Sequence, residues 1–283
     1  MLIGVFVAFS ALAVTARADD FMPHKALKIC ADPNAMPMSS DKEQGYEQKI
    51  ANLFAADLGL PVEYTFFPQR RGFYRNTLKN DDTDDGSYKC DLVMAAPQHL
   101  DFAAPTKPYF YSTYVMLYVK GHGLDDIKSQ EDLANLSPER KKKLRNGVFD
   151  RGPGTKWVAL HHLMDSAVPY QSMTADLNDY PGRIIEQDLV HDKIDLFIAW
   201  GPIGGYYAKK IKDPKLVMIP MHSEPKVDFT YGIAMAVRHG EKAWKKKVNE
   251  LITKHESQIK AILTDYGVPM VDAPVQNTAK ADD

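Results

Sequence analysis

"YFYSTYVMLYVKG", residues 109–121, and "FTYGIAMAVRHG", residues 229–240, decide the fold. Each is a long apolar and aromatic run of strand character. More than a hundred residues separate them, and those residues hold a complete α/β unit of their own. A chain that leaves one lobe by a long strand, builds a second lobe and returns by another strand makes two lobes with two crossovers. That arrangement creates a cleft and a hinge.

Upstream, "ALKICAD" (26–32) reads as a short buried strand, and "GYEQKIANLFAADLGLP" (45–61) as an amphipathic helix with Ile50, Leu53, Phe54 and Leu58 on its apolar side, closed by Gly59 and Pro61. "VEYTFF" (62–67) is a second strand, an RRGF turn opens a helix reaching about Lys79, and "CDLVMAAP" (90–97) is a third strand. Strand, helix, strand, helix, strand is the pattern of a parallel open sheet. Between the two long runs, "NGVFDRGPGTKWVALHHLM" (146–164), "GRIIEQDLVHDKIDLFIAW" (182–200), "GPIGGYYAKKI" (201–211) and "KLVMIP" (215–220) continue the alternation. Two helices over 241–269 and a polar tail from about Asp272 complete the chain.

The opening "MLIGVFVAFSALAVTARADD" pairs an apolar run with Ala16-Arg17-Ala18, the small-x-small cleavage pattern of a secretory leader. The run is too short to span a bilayer. No Lys or Arg precedes it and no cysteine follows the cleavage point. The expectation is an exported, periplasmic protein starting near Asp19, monomeric alone and without a membrane anchor. Its formal charge of −2 becomes about −3 once Arg17 is removed, with no nucleic-acid footprint. Cys30 and Cys90 are the two cysteines, and an oxidising compartment favours pairing them. Strand geometry argues the other way: parallel neighbours would offset the two by roughly four residues, about 13 Å, too far for a bridge. The sequence leaves the pairing open.

"LKICADPNAMPMS" at the start of the first lobe and "TKPYFYSTYVMLYV" as the first crossover resemble the amino-acid-binding type of periplasmic solute-binding proteins, over residues 25–268. Within that superfamily, "CADPNAMPMSSDKEQGYEQKIANLFAADLGLPVEYTFFPQRRGFYRNTL" and "CDLVMAAP" resemble the J proteins of methanol dehydrogenase operons, MxaJ and XoxJ. The resemblance implies an α/β, two-lobe type II periplasmic binding protein fold. It implies a leader at 1–18, a discontinuous lobe one at 21–114 and 233–271, a lobe two at 115–232 and a tail at 272–283. It also implies a non-catalytic accessory factor for a pyrroloquinoline-quinone-dependent methanol or alcohol dehydrogenase, acting in maturation or activation. The alternative is a receptor delivering a small solute other than a free amino acid to an ABC permease.

In open α/β sheets the loops at the carboxyl ends of the strands carry the ligand contacts. That rule places residues 32–36 with Asp32 and Met36, the turn with Arg70, Arg71 and Phe73, and residues 96–99 with Gln98 on the cleft side of lobe one. Arg70 and Arg71 sit at a helix start, where the helix dipole disfavours cations. With Phe73 they read as an exposed aromatic-basic patch for a planar or anionic partner. In lobe two, Gly152, Gly154 and Thr155 stand at a helix N-terminus, either as an anion seat or as a plain capped turn, and Trp200 ends a strand beside "GPIGG".

The departures from the amino-acid-binding pattern matter most. Relatives that bind amino acids carry an arginine shortly after the third strand to grip the α-carboxylate, but "APQHLDFAAPTKPY" has none. An aspartate that would pair with the α-amino group is replaced by Trp200 and Gly201. A buried ligand charge without a partner is costly, so a free amino acid is a poor candidate. No catalytic motif of the GxSxG, HExxH or CxxC kind occurs, "DDTDDG" lacks the calcium-loop spacing, and adjacent His161 and His162 point apart. No cofactor or metal is assigned. The basic runs at 139–145 and 242–247 read as solvated helix faces, or else as docking patches for an acidic redox protein.

Overall fold

The computed structural model describes residues 21–274 other than 82, 85, 173, 175 and 177. The leader at 1–18 and residues 275–283 of the tail lie outside the described residues.

The first lobe opens with β1 (Leu27–Ala31), whose side chains are nearly all buried, and a two-rung hairpin of β2 (Asn34–Ala35) and β3 (Ser39–Ser40). Helix α1 (Tyr46–Leu58) turns Tyr46, Ile50, Ala51 and Phe54 inward, as the apolar spacing predicts. It ends at Gly59, whose φ of 67° is the left-handed conformation that closes the last turn. It begins against Gly45, where an added Cβ would lie 1.9 Å from the Met38 carbonyl, so only glycine fits. Strand β4 (Val62–Phe66) pairs in parallel with β1, and β5 (Leu92–Pro97) pairs with its other edge. Between them α2 (Phe73–Asn76) is a single turn, shorter than the helix to Lys79 that the sequence suggests.

Strand β6 (Ala104–Val119) is the long first crossover. It is followed in the second lobe by α3 (Gln130–Ala134), α4 (Pro138–Lys143), β7 (Asn146–Phe149), α5 (Pro153–Leu160), β8 (Ala167–Tyr170), β9 (Leu196–Trp200), α6 (Gly201–Lys210) and β10 (Leu216–Pro220). The chain returns through β11 (Thr230–Val237) and closes with α7 (Lys242–Lys254) and α8 (Glu256–Asp265). The resulting mixed sheet runs β4-β1-β5-β11-β6-β9-β7-β8, with β10 on the free edge of β6. Strand β8 was not foreseen, because Pro169 breaks the short run "AVPY"; β8 is an edge strand, where proline is tolerated.

Partners change within β6. Residues up to Thr113 pair antiparallel with β11, whereas Tyr114 to Tyr118 pair with β9, and Val115 to Val119 pair with β10. Both faces of that second half are covered: Met116 and Tyr118 join Trp157 and Ile198, and Val115 and Leu117 join Ile185, Phe197 and Tyr207. Double burial explains why "VMLYV" is continuously apolar rather than alternating. The first lobe has its own core, in which Ile29, Ile50, Phe54, Leu92, Met235 and Trp244 meet.

A third connection joins the lobes besides the two crossovers. After α8, Val271 N–H donates to the Tyr111 carbonyl at 3.1 Å, and Ser112 Oγ donates to the Pro269 carbonyl at 2.7 Å. The same segment presses on α6: a Cβ on Gly205 would lie 1.9 Å from the Gly267 carbonyl, and one on Gly201 would lie 2.7 Å from Pro269 Cγ as well as 2.1 Å from the Thr113 carbonyl of β6. The glycines of "GPIGG" therefore serve close packing at the hinge.

Cys30 and Cys90 are joined in a disulfide, with Cα atoms 5.4 Å apart, against the strand-offset expectation. The expectation assumed that residues before β5 prolong its line. They cross beneath β1 instead: the Lys89 carbonyl accepts from Thr65 Oγ1 on β4, and Asp91 N–H donates to the Lys28 carbonyl. Cys90 is thereby carried under Cys30. The bridge closes a loop of 60 residues, for which chain entropy gives about 4 kcal/mol of stabilisation. Replacing both cysteines by alanine should lower the unfolding free energy from denaturant titration by that order, and adding reductant to the parent should move its midpoint the same way.

Glu47, in the first turn of α1, is 5% exposed and its Oε1 has no partner. Burial, and then the charge of Asp32, push its carboxyl from the usual value up to about 8. The folded chain thus holds a proton that the unfolded chain releases above about pH 4.5. Stability attributable to this group is complete below that pH and is lost as pH rises towards about 8. Glu47→Gln should flatten this part of the pH–stability curve measured by denaturant titration.

Candidate functional site

The carboxyl ends of the strands converge on two adjoining hollows in the cleft. Asp32 and Asn34 after β1, with Gln69 and Arg70 after β4, face Phe149, Gln171, Ser172, Thr174, Asp179 and Arg183 across a cavity of about 260 Å³. Beside the hinge, residues 95–99, the end of β5 and the two residues after it, face Tyr114, Trp200, Thr230 and Tyr231 across a second cavity of about 550 Å³.

The first hollow is latched. Arg70 Nη1 donates to the Thr174 carbonyl at 2.6 Å and Nη2 to the Asp176 carbonyl at 2.5 Å, both on the opposite lobe. Asn34 Nδ2 reaches the Asp179 carbonyl at 3.5 Å, and Arg183 Nε donates to Asp179 Oδ1 at 2.7 Å within lobe two. Asp32 shapes the turn: its Oδ1 accepts from Asn34 N–H at 2.8 Å and its Oδ2 from Gln69 N–H at 2.5 Å. The two carboxylate oxygens therefore hold the backbone that presents Arg70.

The second hollow is aromatic and uncharged on its hinge side. The rings of Tyr114, Trp200 and Tyr231 meet edge to face, with centroids 5.4 Å, 6.0 Å and 6.2 Å apart. Burial, with the neighbouring Tyr231, pushes the Tyr114 phenol up to about 12, and burial also raises Tyr231. Both phenols stay neutral near pH 7. Gln98 Nε2 donates to the Tyr111 hydroxyl at 3.1 Å, and a Cβ on Gly232 would lie within 2.9 Å of both side chains, so glycine there lets Gln98 lie flat.

Of the residues singled out from the sequence, Asp32 and Arg70 meet in the first hollow and Gln98 and Trp200 in the second. Met36 precedes a cis proline, is half-buried and lines neither. Phe73 is not part of an exposed patch: it is 3% exposed and packs with the disulfide, because the single turn of α2 rolls it inward. The hollow beside exposed Arg71 is lined by Tyr74 and Phe102, whose rings are 4.8 Å apart, with buried Phe73 behind them. Gly154 packs on Ile198, where a Cβ would come within 2.9 Å, and the Thr155 hydroxyl is held by the Phe149 carbonyl. Gly152, Gly154 and Thr155 thus line neither hollow, and Thr155 in particular is committed internally. Tyr114 and Tyr231 were missed because the strand-end rule looks at loops, and these two lie within the crossovers themselves.

Among the described residues, no group of three or more His, Cys, Asp or Glu side chains is placed to hold a metal ion, and no helix is long and apolar enough to cross a membrane. His161 pairs with Glu224 at 2.6 Å instead.

No family model matches the chain. Protein MoxJ of Methylorubrum extorquens is 26% identical over 274 residues, covering 89% of this chain and 83% of that protein. Among solved structures, the periplasmic binding protein XoxJ from Methylobacterium extorquens AM1 is 29% identical with a TM-score of 0.68, covering 88% of this chain and all of the other. MxaJ from Methlophaga aminisulfidivorans shares the fold at 22% identity and a TM-score of 0.70, covering 87% of this chain.

Arg70→Ala removes both long contacts of the latch. Because the guanidinium is only partly buried, the expected loss of stability is modest, about 1 kcal/mol. Amide exchange should quicken in residues 171–180 and stay unchanged in the core strands; equal exchange there in both proteins would show that the latch does not hold the lobes.

Proposed function

The chain belongs to the MxaJ/XoxJ-type proteins of the amino-acid-type solute-binding superfamily, and from that premise we propose that it is a non-catalytic periplasmic accessory protein that binds a pyrroloquinoline-quinone-dependent methanol or alcohol dehydrogenase and assists its maturation or activation. The division into a lobe of residues 21–114 with 233–271 and a lobe of residues 115–232 is part of this reading.

The observation that carries it is the chemistry of the cleft. Arg70, the cation that faces the cleft from lobe one, is committed to carbonyls of the opposite lobe, and the larger hollow beside it is walled by neutral rings. A zwitterionic solute entering that hollow would leave its hydration shell without gaining a counter-charge there. An apolar or aromatic side chain from a partner segment meets no such penalty and finds Trp200, Tyr114 and Tyr231 as a wall.

A built-in reporter makes the reading testable. Trp157 and Trp244 are fully buried, so among the three tryptophans Trp200 is the one whose fluorescence reads the cleft. Cofactor-free dehydrogenase titrated into the protein should change Trp200 emission, associate with a Kd below about 10 μM, and regain activity faster than without it. Trp200→Ala with Tyr231→Ala should weaken association tenfold or more. Calorimetry against the twenty common amino acids should give no Kd below about 10 μM. If the dehydrogenase does not associate while a small solute raises the melting temperature by several degrees, the transport-receptor reading replaces this one. The observation favouring that second reading is the size of the aromatic hollow, about 550 Å³, which falls in the range of small-molecule pockets.

A further inference from the structure

We propose that the outer face of α7 is a docking surface for an acidic protein, separate from the cleft. Lys107, Lys242, Lys245 and Lys246 line a shallow hollow there with Asn249 and Thr253, and Glu250 is the one anion among the lining residues. The surface is built rather than loose. Lys107 N–H donates to Asn249 Oδ1 at 2.9 Å and its Nζ donates to Thr253 Oγ1 at 2.5 Å, so strand β6 and helix α7 hold one lysine in register with the others.

Helix stability does not explain these charges. Lys242, Lys245, Lys246 and Lys247 fall within the first six residues of α7, at the positive end of the helix dipole, and the first turn carries no acidic residue. Lys242 and Lys246 are four apart, a like-charge spacing that opposes helix formation. The residue before the helix, Glu241, is 5% exposed and bound by Arg238 Nε, so its carboxylate is turned inward. Lys245, Lys246 and Lys247 have no ion-pair partner among the described residues.

The other basic run shows the contrast. On α4, Arg140 pairs with Asp126 and Lys141 Nζ caps the His161 carbonyl at 2.9 Å, so that run is tied into its own lobe and its remaining lysines are a solvated face. Lys245 and Lys246, by contrast, are left for an external anion.

Carboxylates on a protein fit that surface better than a lipid layer. The large apolar residues of α7, namely Trp244, Val248, Leu251 and Ile252, are buried, leaving no bulky side chain to enter an acyl layer, and the whole chain carries a formal charge of −2. The lining contains no ring on which a base could stack.

The test uses the full exported protein and a labelled decapeptide of alternating Asp and Glu, followed by fluorescence anisotropy at about 20 mM and about 150 mM salt. The parent should bind the acidic peptide at low salt, weaken at high salt, and ignore an Asn/Gln peptide of the same length. Lys245→Glu with Lys246→Glu should weaken binding at least tenfold while keeping or raising the melting temperature, since the replaced charges oppose the helix dipole. Lys142→Glu with Lys143→Glu makes the same change in net charge on α4 and should leave binding intact. Equal loss in both variants would mean that only overall charge matters, and would overturn the proposal. So would unchanged binding in the α7 variant, absence of binding at low salt, or tighter α7-dependent binding to phosphatidylglycerol vesicles than to the peptide. No dehydrogenase enters the experiment, so its outcome is independent of the accessory reading above.

Discussion

Everything in this molecule hangs on one strand shared by the two halves of the main sheet. β6 pairs with β11 up to Thr113 and with β9 and β10 from Tyr114 and Val115 onward, so the hinge is a change of hydrogen-bond partner within a continuous backbone. At that point the Thr113 hydroxyl donates to the Met221 carbonyl at 2.5 Å, and Tyr114 N–H donates to the Phe229 carbonyl at 3.2 Å. The two crossovers are thereby tied to each other at the hinge. The segment after α8 adds a third tie through Ser112 and Gly205. A hinge with three connections and a latch at Arg70 constrains relative motion of the lobes more than two free crossovers would.

That constraint is consistent with the altered chemistry of the cleft. A receptor that closes on a solute needs charges left unpaired until the solute arrives. Here Arg70 has already found the Thr174 and Asp176 carbonyls, and Asp32 has already found two backbone N–H groups. Gly201 could not become an aspartate without moving the backbone of β6, because the Thr113 carbonyl occupies the space of its Cβ. The close seating of α6 on the hinge therefore keeps an acidic side chain away from the position where amino-acid-binding proteins would place their amine partner.

The order of strands and helices was legible because each element carries its own period: the inward stripe of α1, the short parallel strands, and the two long apolar runs of β6 and β11. What crosses between elements was not legible. The Cys30–Cys90 bridge depends on the residues just before β5 passing beneath β1, a path that no local pattern encodes. Arg70 was placed at the cleft by the strand-end rule, but its acceptors are backbone carbonyls more than a hundred residues away, in a segment of mixed polarity without a motif. Phe73 looked like a partner for the arginines because it adjoins them in sequence, yet a one-turn helix aims it at the core. Tyr114 and Tyr231 were hidden for the opposite reason, since rings inside a long apolar strand read as core.

Arg238 links the disulfide region to the surface of α7. It is 6% exposed and donates to the Leu78 and Cys90 carbonyls at 3.0 Å and 2.5 Å, to Asp91 at 2.9 Å and to Glu241 at 2.5 Å. Its guanidinium also lies 4.0 Å from the Tyr88 ring. Burial raises the carboxyls of Asp91 and Glu241, and Arg238 opposes that shift in both. Removing one member of such a buried set leaves the others uncompensated, so Glu241 cannot turn outward to cap α7 without exposing Arg238 to a desolvated vacancy. The uncompensated positive end of α7 is thus a consequence of how the first lobe is fastened, and the lysines that follow Glu241 add to that positive field instead of cancelling it.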